Sequence, residues 1–212
     1  GFAQFAPGSA ASMGVERIAE DGDFSVLQTA ALGTAGVSSS TAPGGGPILP
    51  GETRMFNVQL NPAMPSSRYF SFLSMFVPSN DAFIGNADPM AFELFDANGN
   101  LVQRQGATAI RVMGSMVWDA GTEVNDELPG NALGLGPSAP NTGVTEGGVV
   151  HKHPGFIGSL AMGGAPGNIL TAAPNADFTV PGFEIVEISV VPAPGAAAVL
   201  GLAGFMFSRR RR

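Results

Sequence analysis

At 212 residues, 44% of them hydrophobic, the chain carries one domain, or one domain with tails, and enough apolar material for a real core. Its 30 Gly and 17 Pro favour turns over long helices, its 13% charged residues exclude a disordered polyelectrolyte, and the absence of cysteine excludes disulfides and thiol chemistry. The net charge is −7, and without Arg209 to Arg212 six basic residues face seventeen acidic ones, or −11; such a body repels nucleic acid and anionic lipid and attracts divalent cations.

In chain order, Ser12 is placed to cap a short helix carrying Val15, Ile18 and Ala19, and Asp23 a second piece carrying Val26, Leu27 and Leu32. Residues 33–51, rich in Gly, Ser, Thr and Pro, read as a long loop. Thr53 to Leu60 alternates as a half-buried strand does, and Tyr69 to Val77 is a nearly continuous apolar run, as in a central strand. Ala91–Phe95 and Leu101–Gln103 flank Asn98-Gly99, a hairpin turn signal. Ile110 to Trp118 reads as another strand, residues 120–148 as a long polar surface loop, Val149-Val150 as the opening of a further strand, and Phe183 to Val191 as the last strand of the folded body. Short strands separated by turns predict a mainly all-β protein, an antiparallel β-sandwich with a small N-terminal helical insert. The body spans residues 1–191 and a tail follows at 192–212.

Two places carry candidate metal chemistry. Asp81 ends a Pro78-Ser79-Asn80-Asp81 turn directly after the apolar run, and Asp119 follows the end of another strand, with Glu123 four residues on across Gly121. Calcium takes six to eight oxygen ligands from carboxylates, carbonyls and water, and carboxylates at strand ends around a glycine turn suit it. On residue pattern alone the same carboxylates equally serve as turn caps. Three segments, taken together, resemble the spondin domain, a β-sandwich module of secreted matrix and adhesion proteins. They are Phe5-Ala6-Pro7-Gly8-Ser9-Ala10-Ala11-Ser12-Met13-Gly14 continuing to Ile18-Ala19-Glu20-Asp21-Gly22-Asp23, then Ser74-Met75-Phe76-Val77-Pro78-Ser79-Asn80-Asp81-Ala82-Phe83-Ile84-Gly85, then Trp118-Asp119-Ala120-Gly121-Thr122-Glu123. They stand in the family's order over residues 5–125. The resemblance implies a Ca2+ site at Asp81, Asp119 and Glu123. The third position is often Asp in animal members, and the family's first strand precedes the point at which this chain begins.

The remaining constellations point to structure. Glu20-Asp21-Gly22-Asp23 reads as a capped turn between helices and Asp96-Ala97-Asn98-Gly99-Asn100 as a hairpin turn lacking the glycine spacing and closing Glu of an EF-hand. His151 and His153 form a possible zinc pair without an obvious third ligand, and Trp118 reads as core packing. With no Cys nucleophile and no Gly-x-Ser-x-Gly elbow, no enzyme is expected.

The tail opens Val191-Pro192-Ala193-Pro194, continues as an apolar run from Gly195 to Phe207, and ends on Ser208 and four arginines. Such a run makes roughly 20 Å of helix, short of the roughly 30 Å hydrocarbon core. It resembles the PEP-CTERM class of bacterial sorting tails, with Val-Pro-Ala-Pro in place of Pro-Glu-Pro. That implies a short C-terminal apolar helix, transient membrane contact with the arginines on the cytoplasmic side, and export to the cell surface or extracellular space. An export label without an N-terminal signal further implies that the start has been removed. The expected function is therefore an exported surface or matrix protein with a calcium-binding adhesion module, its partner a matrix polysaccharide or protein, with no nucleic acid. The alternative is a structural matrix subunit that self-associates by strand complementation without a functional metal site.

Overall fold

The computed structural model describes residues 2–42, 46–77, 79–102, 109–125, 143–155 and 178–190. Among these residues two α-helices are followed by short strands, all paired antiparallel. The predicted tail at 192–212, with its apolar helix, lies outside the described residues, as does Gln103. Among the described residues no helix is long and apolar enough to cross a membrane.

Helix α1 (Met13–Asp21) begins where Ser12, in an extended conformation, accepts a hydrogen bond from the Val15 N–H, the capping geometry its position suggested. Gly22 closes it in the left-handed conformation, with the Gly22 N–H donating to Ile18 O at 3.0 Å and the Asp23 N–H to Arg17 O at 3.0 Å. Helix α2 (Ser25–Leu32) follows at once; Asp23 sits one residue ahead of its cap and accepts from the Ser25 N–H at 2.9 Å. The acidic stretch Glu20 to Asp23 is therefore a capped inter-helix turn. Only Leu27 of α2 is buried, while Val26 and Leu32 are exposed.

The strands are β1 (Tyr69–Phe70), β2 (Leu73–Met75), β3 (Ala82–Gly85), β4 (Phe92–Glu93), β5 (Ala109–Met113), β6 (Trp118–Asp119), β7 (His151–Lys152) and β8 (Glu184–Ser189). They form a four-stranded sheet β2-β3-β6-β7 and two pairs, β1-β4 and β5-β8. Three expectations change here. Thr53 to Leu60 forms no strand: its alternation finds no partner to pair with among the described residues, and Met55 is 90% exposed. The apolar run from Tyr69 divides into β1 and β2, which join different sheets. Asn86 takes the Phe72 N–H on its side-chain oxygen at 2.9 Å and donates to Ser71 Oγ at 3.2 Å, so the backbone between the strands bonds to a side chain instead of a ladder. Ile110 to Trp118 likewise divides, at a single 3-10 turn (Gly114–Met116), so β5 pairs with β8 and β6 with β3. The Asn98-Gly99 hairpin is present, closed by a bridge between Phe95 and Leu101.

Strand β3 is buried on both faces. Ala82 and Ile84 join Val112, Val117 and Phe178 in one apolar cluster, against which Val186 of β8 packs. Phe83, pointing the other way, joins Phe5, Val15, Ala19, Ala120 and Val150, with Trp118 packed alongside. Phe5 meets Phe83 edge-on at 4.9 Å between ring centroids and Trp118 at 5.1 Å. The four-stranded sheet thus has α1 and the N-terminal segment over one face and residues of β5 and β8 over the other. Its register, Ala82 opposite Asp119 and Asp119 opposite His151, sets the ends of three strands side by side.

Candidate metal centre

Asp81 immediately precedes β3 and Asp119 ends β6. Antiparallel pairing brings them to the same edge of the sheet, where the Ala120 N–H donates to Asp81 O at 3.2 Å. Both side chains are fully buried. Asp81 Oδ2 accepts three hydrogen bonds, from the Thr122 N–H (2.9 Å), Thr122 Oγ1 (3.2 Å) and the Glu123 N–H (3.0 Å). Its other oxygen, Oδ1, is buried and has no hydrogen-bond partner among the described residues. A buried carboxylate oxygen left unpaired costs its desolvation unless a proton or a cation meets it. Asp119 Oδ1 accepts from the Gly121 N–H at 2.7 Å and Oδ2 from the Asn125 side-chain amide.

Burial, reinforced by the neighbouring charge of Asp119, pushes the Asp81 carboxyl up to about 7 in spite of its three hydrogen bonds. At the end of α1, burial also pushes Glu20 up to about 7, opposed by a hydrogen bond with Thr122 and reinforced by Glu123, Glu16 and Asp21. Both shifts come chiefly from burial, with neighbouring carboxylates adding to them.

The turn that carries the site is specified by glycine. Gly121 has φ +68°, and a Cβ there would lie 2.6 Å from the Val149 backbone nitrogen, so the left-handed conformation and the close approach of segment 148–149 both demand it. Asn80 fixes the turn from below, donating to Glu123 O at 3.0 Å and Val124 O at 3.2 Å.

Of the three residues the sequence offered as ligands, the structure brings two together. Ligand oxygens of Asp81 and Asp119 lie within 4.8 Å of each other and of Glu146, which is exposed. Glu123 is buried one turn away, where its Oε1 accepts from the Gly143 N–H at 2.8 Å. Sequence reasoning passed over Glu146 because it stands in the polar 120–148 loop, far from both aspartates in the chain. The available signal was that it is the only acidic residue between Glu127 and Asp177, directly ahead of the predicted strand at Val149.

The two histidines are unlike each other. His151 is exposed; its Nδ1 is 2.9 Å from Val149 O and 3.9 Å from Asp119 Oδ1. His153 is buried, its Nδ1 accepting from the Gly155 N–H at 3.0 Å and its Nε2 lying 3.4 Å from Ser79 Oγ. Burial pulls its pKa down to about 4, against the pull of Asp119 upward. With Nδ1 accepting, the neutral ring carries its proton on Nε2 and donates toward Ser79. That is the reverse of what a base activating a serine requires. For a zinc pair, both ring nitrogens of His153 are engaged, Nδ1 with the Gly155 N–H and Nε2 with Ser79 Oγ. Trp118 packs in the core as expected and carries Lys152 over its ring, with Nζ 3.5 Å from the centroid; burial lowers the Lys152 pKa to about 8.

The Asp96 turn is a structural turn. Asp96 is half-buried and accepts from the Asn98 and Asn100 N–H groups at 2.8 and 2.9 Å.

Chemically, the all-oxygen set at the sheet edge suits a hard cation. The chain matches no family model, no curated protein and no solved structure.

Proposed function

We propose that this chain is an exported surface or matrix protein whose body is a calcium-stabilised adhesion module, a β-sandwich of the spondin type. The observation that carries the reading is the buried Asp81 Oδ1, unpaired beside a second buried carboxylate and within reach of a third. A divalent cation satisfies that oxygen, offsets the repulsion between Asp81 and Asp119, and ties the strand ends together. Supporting the sandwich, the four-stranded sheet and the β5-β8 pair contribute to one apolar cluster. Supporting the family are the three sequence segments, two of which carry Asp81 and Asp119. Supporting export is the tail, with its short apolar run and terminal arginines.

In this reading calcium is a structural ion and the protein is not an enzyme. The ion stiffens the loops at one end of the sheet, and the surface so fixed meets a matrix polysaccharide or protein. The acidic body excludes nucleic acid as a partner, and membrane contact is confined to the tail. The direct test is calorimetric titration of the full chain with calcium. The expected result is about one ion per chain, with binding abolished by Asp81→Asn. Absence of calcium binding by the folded native chain overturns the reading.

A further inference from the structure

The exposed member of the acidic group comes from a segment joined to the sheet edge by backbone bonds. The Val124 N–H donates to Val144 O at 2.8 Å, the Glu146 N–H to Thr122 O at 2.9 Å and the Gly148 N–H to Gly121 O at 2.7 Å. Beyond them the Val150 N–H donates to Ser9 O at 2.9 Å, and the segment runs into the edge strand β7. Residues 143–150 thus lie as a strap across the loop that follows β6. Charge works against this contact, because Glu146 brings a third carboxylate to a buried pair that already repels itself.

Resting on the calcium reading above, we infer that Glu146, rather than Glu123, is the third acidic ligand, and that the ion is the latch that fastens the strap. An acidic cluster alone would not carry this; the unpaired, fully buried Asp81 Oδ1 supplies the independent need for a cation at this point. The dimensions agree. Oxygens about 2.3–2.6 Å from one calcium stand at most about 5 Å apart, and the three ligand atoms lie within 4.8 Å of one another. Glu123 has a different part in the same device: its carboxylate receives the Gly143 N–H and anchors the start of the strap. Calcium then couples two stretches more than twenty residues apart, and the docking of the strap beside β7 becomes a function of calcium concentration. A partner that contacts this edge would bind in a calcium-dependent way without touching the ion.

The test combines calcium calorimetry with hydrogen exchange on the full chain, in calcium and in chelator, for the native protein and the Glu146→Gln, Glu123→Gln and Asp81→Asn variants. Glu146→Gln is expected to weaken calcium binding at least tenfold, about 1.4 kcal/mol, and to erase the slowing of amide exchange that calcium produces across 143–150. Glu123→Gln is expected to lose less affinity, because an amide oxygen still accepts from Gly143. Since Glu146 is exposed, its variant is expected to melt no lower than the native chain in chelator. Native-like affinity and exchange in Glu146→Gln, with Asp81→Asn unable to bind, overturns the latch and leaves the calcium site standing. A larger loss in Glu123→Gln than in Glu146→Gln also overturns it. No calcium binding by the native chain overturns latch and site together.

Discussion

Two turns in this molecule are built from the same residue types and have opposite characters. At Asp96–Asn100 the carboxylate lies at the surface on a half-buried residue, its oxygens receive N–H groups of its own turn, and those bonds hold the carboxyl below the ordinary range, the Asn100 side chain foremost. At Asp81 and Asp119 the carboxylates are fully buried, come from two strand ends, and leave one oxygen without a hydrogen-bond partner among the described residues. Burial raises the acid in the second place while hydrogen bonding lowers it in the first. What separates a candidate metal centre from a turn is thus an unsatisfied lone pair in a place water does not reach; the density of Asp, Asn and Gly in the sequence is similar in both.

The largest effect expected from this contrast is on stability. Calcium at about a thousand times its dissociation constant adds about 4 kcal/mol to a native state that alone binds it, or roughly ten degrees of melting midpoint for a chain of this size. Asp81→Asn should abolish that rise. In chelator the same variant should melt no lower than the native protein, because the amide oxygen can accept the bonds from Thr122 and Glu123 while the charge that Asp119 repels is gone. A thermal melt in calcium and in chelator reads both outcomes, and a calcium rise that survives the substitution would erase the distinction between the two turns.

The second effect is on the backbone. Gly121→Ala forces a left-handed alanine and sets its Cβ 2.6 Å from Val149 N, where only a shift of the strap gives relief. We expect a loss of about 2–3 kcal/mol and weakened calcium binding. Gly99→Ala in the hairpin shares the positive φ but meets Pro62 O only at 3.0 Å; about 1 kcal/mol is expected there, with calcium binding untouched. Chemical denaturation of both variants measures the difference.

The third is pH dependence without calcium. Asp81, raised to about 7 from 3.8, binds a proton in the folded chain that the unfolded chain has released, so its contribution to stability falls as pH rises from about 4 to about 7. Glu20, raised to about 7, acts in the same sense. His153, lowered to about 4 from 6.5, acts oppositely, and its contribution is lost as pH falls from 6.5 toward 4. In chelator, stability should therefore rise as pH falls from 8 and keep rising below 6.5 toward about 5, because two carboxyls outweigh the one histidine. Saturating calcium, which holds Asp81 ionised in the folded chain, should remove the Asp81 share and make the loss of stability with rising pH shallower. Denaturation midpoints across pH 5–8 with and without calcium check the sign.

Much of this was legible in the sequence, for reasons that are local. Ser12 and Gly22 announce the ends of α1, and Asn98-Gly99 announces its hairpin, because a cap and a tight turn depend on residues a few positions apart. Asp81 and Asp119 were visible from where they stand, at the ends of apolar runs. The failures are non-local. Alternation at Thr53 to Leu60 describes a strand only if another strand lies beside it, and none does among the described residues. The run from Tyr69 looks continuous until Asn86, far along the chain, takes the Phe72 N–H. Glu146 joins the aspartates through the pairing of residues 143–148 with the loop after β6, a register that no spacing within either segment encodes.

The smallest predicted effect is the control that keeps the comparison sharp. Asp96→Ala removes the acceptor for the Asn98 and Asn100 N–H groups, but both groups face water, which replaces most of what is lost. The melting midpoint should drop slightly and the rise on adding calcium should equal that of the native chain. Asp96→Asn, which keeps an acceptor oxygen in place, should recover the midpoint, because the turn uses the oxygen and not the charge. At Asp81 the same Asp-to-Asn change should abolish the calcium response, because there the charge is what the ion needs. If Asp96→Asn diminished the calcium-induced rise, the exposed turn would be part of the ion's surroundings and burial would no longer be what distinguishes the two.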